Sequence, residues 1–164
     1  MTPKQIERIK IKITKIKKEL AADKKRWGGF YDDSRGLRYL PPELYLKIRD
    51  YPGALRYFNW FHKNFPEDAG FPLFLFEWAI TLFKLGKLKN AEDKILETYS
   101  SNAYIIHSFL EIKNNHLFIS ENSNWQTFFL AQNLPYSKND PKFLDFADWL
   151  SEFINEERFA EGVV

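Results

Sequence analysis

The chain has no cysteine and a single methionine among its 164 residues. The missing thiols exclude disulfides, thiolate zinc sites and a cysteine nucleophile, and they suit a reducing compartment such as the cytoplasm, the expected location. Long apolar runs are missing too. The most apolar stretch, residues 71–85, is interrupted by Glu77 and Lys84, so no membrane span is expected. The N-terminus lacks the short apolar core of a secretory signal. Motifs of known chemistry are scarce: no GxSxG, Walker, Rossmann or HExxH pattern occurs. His107 and His116 lie nine residues apart, not at a metal-binding helical spacing, and with His62 they read as structural. Glu77 and Glu111 sit among apolar neighbours, where a carboxyl pKa would rise, but neither has a second carboxylate at a useful spacing. No catalytic residue, no metal and no cofactor are expected. An enzyme of unrecognised type stays open as an alternative.

What the chain does have is aromatic bulk and a lopsided charge. Sixteen Phe and five Trp suit either a core built of Phe or an apolar binding groove. Charged residues at 28% argue for a folded, water-exposed chain and against disorder. Residues 1–30 hold ten Lys and Arg against three Asp and Glu, while the remainder is net acidic. The basic charge is therefore local, which confines any nucleic-acid reading to the N-terminal helix, through Lys10, Lys12, Lys15, Lys17 and Lys18.

Residues 45–103 repeat themselves. Tyr51 matches Leu88, Ala54 matches Ala91 and Phe58 matches Ile95, each 37 residues on. A small residue early in a second helix lets two helices approach, and a large one a turn later fills the gap. Gly86, and Arg49 at the matching position, mark the end of each first helix, and a large apolar residue, Tyr51 or Leu88, should cap the corner. Pro41 and Pro42 require the first helix to start there and be short. On these residues, with Pro66 closing the first copy, the stretch resembles the tetratricopeptide repeat family. Arg49 stands where glycine is usual, Phe61 where a small residue is usual, and Ala103 where proline closes a repeat. The resemblance implies antiparallel hairpins in an α-α superhelix that binds proteins. It does not bring the family's peptide-carboxylate clamp, because the face of Leu73, Phe76, Ile80 and Phe83 carries none of the Lys, Arg and Asn of such a site.

The flanks read as further helices. Thr2-Pro3-Lys4-Gln5 has the pattern of a capping box with proline at the first helical position. Ile6, Ile9, Ile13, Ile16 and Leu20 form an apolar seam, continued by Trp27, and Gly28-Gly29 ends the helix. The seam suits packing on the repeats, a homodimer or a membrane surface. The next loop packs Asp32, Asp33, Arg35 and Arg38 into seven residues. These could hold a partner's polar group, with the arginines as forked donors, or simply cap and pair within a turn. Too few oxygens are present there for a hard cation.

Residues 71–85 should be a helix covered all round. Its face of Leu73, Phe76, Ile80 and Phe83 is a candidate partner surface unless a terminal helix fills it, and a C-terminal helix over 140–157 is the favoured cover. Short helices are expected at 102–112 and 124–133, with a loop between and a frayed tail from Gly162.

The expectation is thus an all-α single domain over 1–164. It comprises a basic amphipathic helix in 1–29, two tetratricopeptide-like hairpins in 41–103 and C-terminal helices in 104–164. Its expected role is protein–protein interaction as a scaffold or adaptor, with a nucleic-acid-binding accessory protein as the alternative.

Overall fold

Proline decides where many of the helices begin. Pro3, Pro41, Pro52, Pro72 and Pro141 each occupy one of the first two positions of a helical segment, where the missing N–H costs nothing. The computed structural model describes residues 1–29, 35–113 and 129–163, with backbone alone at 129–130. Every regular element among the described residues is helical. The chain forms two compact units, Met1–Ala69 and Gly70–Val164.

In the first unit, α1 (Pro3–Arg26) opens with the expected capping box. Thr2 Oγ1 accepts from the Gln5 N–H at 3.2 Å, and Gln5 Oε1 accepts from the Thr2 N–H at 2.8 Å. The seam is buried at Ile13, Ile16 and Leu20 and only half-buried at Ile6 and Ile9. Trp27 does not continue it: as the C-terminal cap it is 51% exposed. A 3-10 turn (Leu37–Tyr39) leads into α2 (Pro41–Lys47) and α3 (Tyr51–Asn64). Helix α1 packs on α2 and on the turn, and α2 on α3.

In the second unit, α4 (Pro72–Lys84) pairs with α5 (Leu88–Ser101), and α6 (Ala103–Phe109) packs on both. Asn102 caps α6 by accepting from the Tyr104 N–H at 2.9 Å. Of the helix expected over 124–133, α7 (Phe129–Gln132) lies within the described residues. The last helix is not continuous. Asp140 accepts from the Lys142 N–H at 2.9 Å and opens a 3-10 turn (Pro141–Phe143). Then come α8 (Leu144–Phe153) and α9 (Glu157–Gly162). Helix α9 buries Phe159 against Tyr99 and Phe153, with ring centroids at 5.2 and 5.6 Å, and ends at Gly162. A Cβ at Gly162 would come within 2.6 Å of a Leu96 methyl, so a larger residue there would require that side chain to move.

The 37-residue repeat extends to the backbone. Arg49 N–H donates to Leu46 O and Asp50 N–H to Tyr45 O, at 3.1 and 3.0 Å. At the matching positions Gly86 donates to Phe83 O and Lys87 to Leu82 O, at 3.0 and 2.9 Å. This paired bonding closes a helix through a left-handed residue, and Arg49 and Gly86 have φ of 56° and 74°. Helices α3 and α5 both run 14 residues. Ala54 and Ala91 are fully buried, as are Phe58 and Ile95. Leu88 is 45% exposed and does not cap the second corner, whereas Tyr51 at the first is half-buried.

Candidate functional site

Of the loop residues singled out from sequence, Asp32 and Asp33 lie outside the described residues. The two arginines have different acidic partners. Arg35 is exposed and pairs with Glu19 on α1 at 3.3 Å. Arg38 is largely buried: its guanidinium lies 3.9 Å over the Phe65 ring and 3.3 Å from Asp68, which also accepts the Tyr39 hydroxyl. The Tyr57 hydroxyl donates to the Arg38 carbonyl. Arg38 thus ties the 3-10 turn to the end of α3.

The α4 face is filled from within its own unit. Phe76 and Ile80 are completely buried, while Leu73 and Phe83 are half-buried. Phe76 meets Phe109 of α6 and Phe146 of α8 at 5.2 and 5.6 Å, and Phe83 meets Phe146 and Trp149 at 5.5 and 5.2 Å. The favoured cover, a C-terminal helix, is the one present, as α8. Fully burying each large apolar side chain is worth about 1.5–3 kcal/mol, so Phe76 and Ile80 serve as core. Lys84 and Asp145 latch α4 to α8 at 2.7 Å. Burial acts to raise the Asp145 carboxyl pKa, but the Lys84 hydrogen bond and the Phe146 N–H outweigh it and hold the group below its ordinary value.

The α1 seam is likewise largely used inside its unit. With Ile13, Ile16 and Leu20 buried, a homodimer contact would rest on Ile6 and Ile9, with the 60% exposed Ile11 beside them.

The candidate acids and bases separate. Glu77 is 2% exposed and accepts from the Tyr136 hydroxyl. Glu111 does not sit among apolar side chains: it is exposed, 3.6 Å from Lys138 Nζ. His62 is exposed and His116 lies outside the described residues. His107 has a buried Nδ1 with no hydrogen-bond partner, and burial lowers its pKa. Among the described residues no group of three His, Asp or Glu could hold a metal ion, and no helix is long and apolar enough to cross a membrane.

The feature that sequence reading missed is a cleft of about 400 Å³ between α1 and α3. Helix α1 lines it with Lys17, Leu20, Ala21 and Lys24, one stripe at helical spacing, and α3 lines it with Arg56, Tyr57 and Trp60. Ala54, Tyr57, Phe58 and Phe61 fix the rotation of α3 by their burial, which leaves half-buried Trp60 on the flank beside them. Asp50 sets the start of α3 by capping the Gly53 N–H at 2.9 Å. The floor is braced: the Tyr57 and Trp60 rings lie 5.3 Å apart, and Trp60 meets the edge of Phe65 at 5.7 Å. Lys17 Nζ lies 5.2 Å from the Tyr45 ring centre. Small Ala21 leaves the space open. The volume falls in the usual range for a ligand site, about 300–1,000 Å³. The lining combines cationic heads with aromatic and aliphatic surface. The available signal was Trp60 on the otherwise polar flank of α3, beside Arg56, Asn59 and Lys63.

Comparison with protein-family models, with curated proteins and with solved structures finds no match to this chain.

Proposed function

We propose that the chain is a non-catalytic protein-interaction module, a degenerate tetratricopeptide-like repeat pair that acts in the cytoplasm and engages its partner at the α1/α3 cleft. The observation that carries this reading is the cleft itself, a recess with a braced aromatic floor and a rim of Lys17, Lys24 and Arg56. Such a site supplies shape, apolar contact and charge, the three components of a recognition surface. The matched hairpin geometry supports the repeat reading, because a helical repeat presents its flanks as binding surface.

Photo-crosslinking tests it. A benzoylphenylalanine at position 21 should capture a discrete protein in extracts of the source cells, and Arg56→Glu should abolish that capture. Capture from exposed positions of α8 with none from position 21 would contradict the proposal.

A further inference from the structure

We infer that the outward face of α1 docks on an anionic lipid bilayer, held there by charge and without insertion of the helix. This goes beyond the interaction-module reading and uses a different face of the helix, since none of its residues lines the α1/α3 cleft.

Helical period sets the face. Ile13, Ile16 and Leu20 are buried, which turns the opposite side of α1 outward. Lys4, Arg8, Lys15, Lys18 and Lys25 follow one another along that side, at steps of four, seven, three and seven residues, and all are exposed. The row is about 32 Å long at the helical rise. Ile11, 60% exposed, lies in it between Arg8 and Lys15. Glu7 is the acid at its edge, and Glu19, on the flank, is engaged by Arg35 at 3.3 Å.

Charge pairing separates this row from the rest of the chain. Among the described residues none of the five cations has a hydrogen bond or ion pair from its side chain. In the second unit Lys84, Lys94, Lys138, Lys142 and Arg158 each meet an acid within 3.6 Å. Residues 1–69 hold sixteen Lys and Arg against nine Asp and Glu, whereas residues 70–164 hold eight against thirteen. The positive charge is thus concentrated in the first unit, and along one straight edge it is left unneutralised, complementary to a polyanion.

Shape selects the polyanion. A plane of headgroups meets all five side chains at once. A duplex major groove is about 12 Å wide and winds away from a straight row of this length. Single strands are held on aromatic stacking platforms, and the row has none. A helix that sinks into lipid presents its apolar face. Here that face is spent against α2 and the 3-10 turn, which leaves Ile11 as the apolar side chain of the outward row. A cluster of about four to eight Lys and Arg is the size that recognises anionic headgroups at a cytoplasmic leaflet.

The test is flotation of the full chain with phosphatidylcholine vesicles containing about 30% phosphatidylserine, at about 50 mM salt. Saturable binding is expected. It should be at least about tenfold weaker on pure phosphatidylcholine and should be lost at about 0.5 M salt. Lys15→Glu with Lys18→Glu should weaken it at least about tenfold. Lys87→Glu with Lys89→Glu makes the same charge change at exposed positions of the second unit, and should leave binding within about twofold. All variants are checked for folding by circular dichroism. Lys4→Glu with Arg8→Glu, near the helix N-terminus where acids are favourable, carries the test if the Lys15 and Lys18 pair does not fold. No flotation, equal flotation with pure phosphatidylcholine, or undiminished binding by a folded variant of the row overturns the inference. Equal loss in the Lys87 and Lys89 variant overturns it too, because net charge and not the row would then decide. So does binding of duplex DNA, oligouridylate or polyglutamate through Lys15 and Lys18 while the anionic vesicles stay unbound.

Discussion

The two hairpins share a backbone and differ on their flanks. Helices α3 and α5 have the same length, and the helices before them end through the same two hydrogen bonds. Yet Arg56, Tyr57 and Trp60 of the first stand where the second has Asp93, Lys94 and Glu97. In the second, Lys94 and Glu97 satisfy each other. In the first, the equivalent positions line a cleft. The repeat therefore specifies how a helix pair closes, while its outward residues specify what it meets. The same division explains why the register was visible in sequence and the cleft was not.

The comparison can be broken most severely in the two cores. Phe58→Ala should cost about 3–5 kcal/mol and Ile95→Ala about 2–5 kcal/mol, measured by urea denaturation. Both side chains are fully buried one turn after a fully buried alanine. If either substitution were neutral, the equivalence of the two helix contacts would be lost.

A sharper contrast concerns the left-handed residue. Gly86→Ala forces a Cβ into φ near 74° and should destabilise by about 1 kcal/mol. Arg49→Gly relieves a side chain already at φ 56° and should stabilise by about 0.5–1 kcal/mol, the strain relieved less the entropy that glycine adds to the unfolded chain. Opposite signs at matching positions are expected, and the same sign at both would contradict a shared corner geometry.

The smallest effect is pH-dependent and is expected from the second unit. Burial lowers the His107 pKa below its ordinary value. As pH falls through the unfolded value of about 6.5, the unfolded chain takes a proton that the folded chain resists. The His107 contribution is thus complete above that value and is lost as pH drops toward the lowered folded one. His107→Gln should flatten the fall in the denaturation midpoint between about pH 7.5 and about pH 5.5. Equal slopes in wild type and His107→Gln would show that the buried Nδ1 has no part in it.

Local rules made much of the fold legible. The Thr2–Gln5 capping box, the proline starts and the all-round apolar α4 each depend on residues close in sequence. The Ala54 and Ala91 register was legible because a close helix contact demands a small side chain. Other features depend on choices that residue type leaves open. Asp140-Pro141 can begin an α-helix or a 3-10 turn, and here it begins the turn. Arg49 does not announce a left-handed conformation as Gly86 does. Leu88 and Trp27 look like core residues but stand at helix ends, where the chain turns them outward. The cleft depends on which stripe of α1 lies beside α3, a tertiary fact. Only the isolated Trp60 on a polar flank hinted at it.

The most direct measurement of where partner binding resides is a nitrogen-15 correlation spectrum of the full chain, titrated with the partner recovered from the source cells by affinity to the full chain. Shift changes are expected at residues 17–24 and 56–60, with residues 93–97 unmoved. Changes centred on 93–97 or on α8, with 17–24 and 56–60 silent, would contradict the assignment of the binding site to the first hairpin.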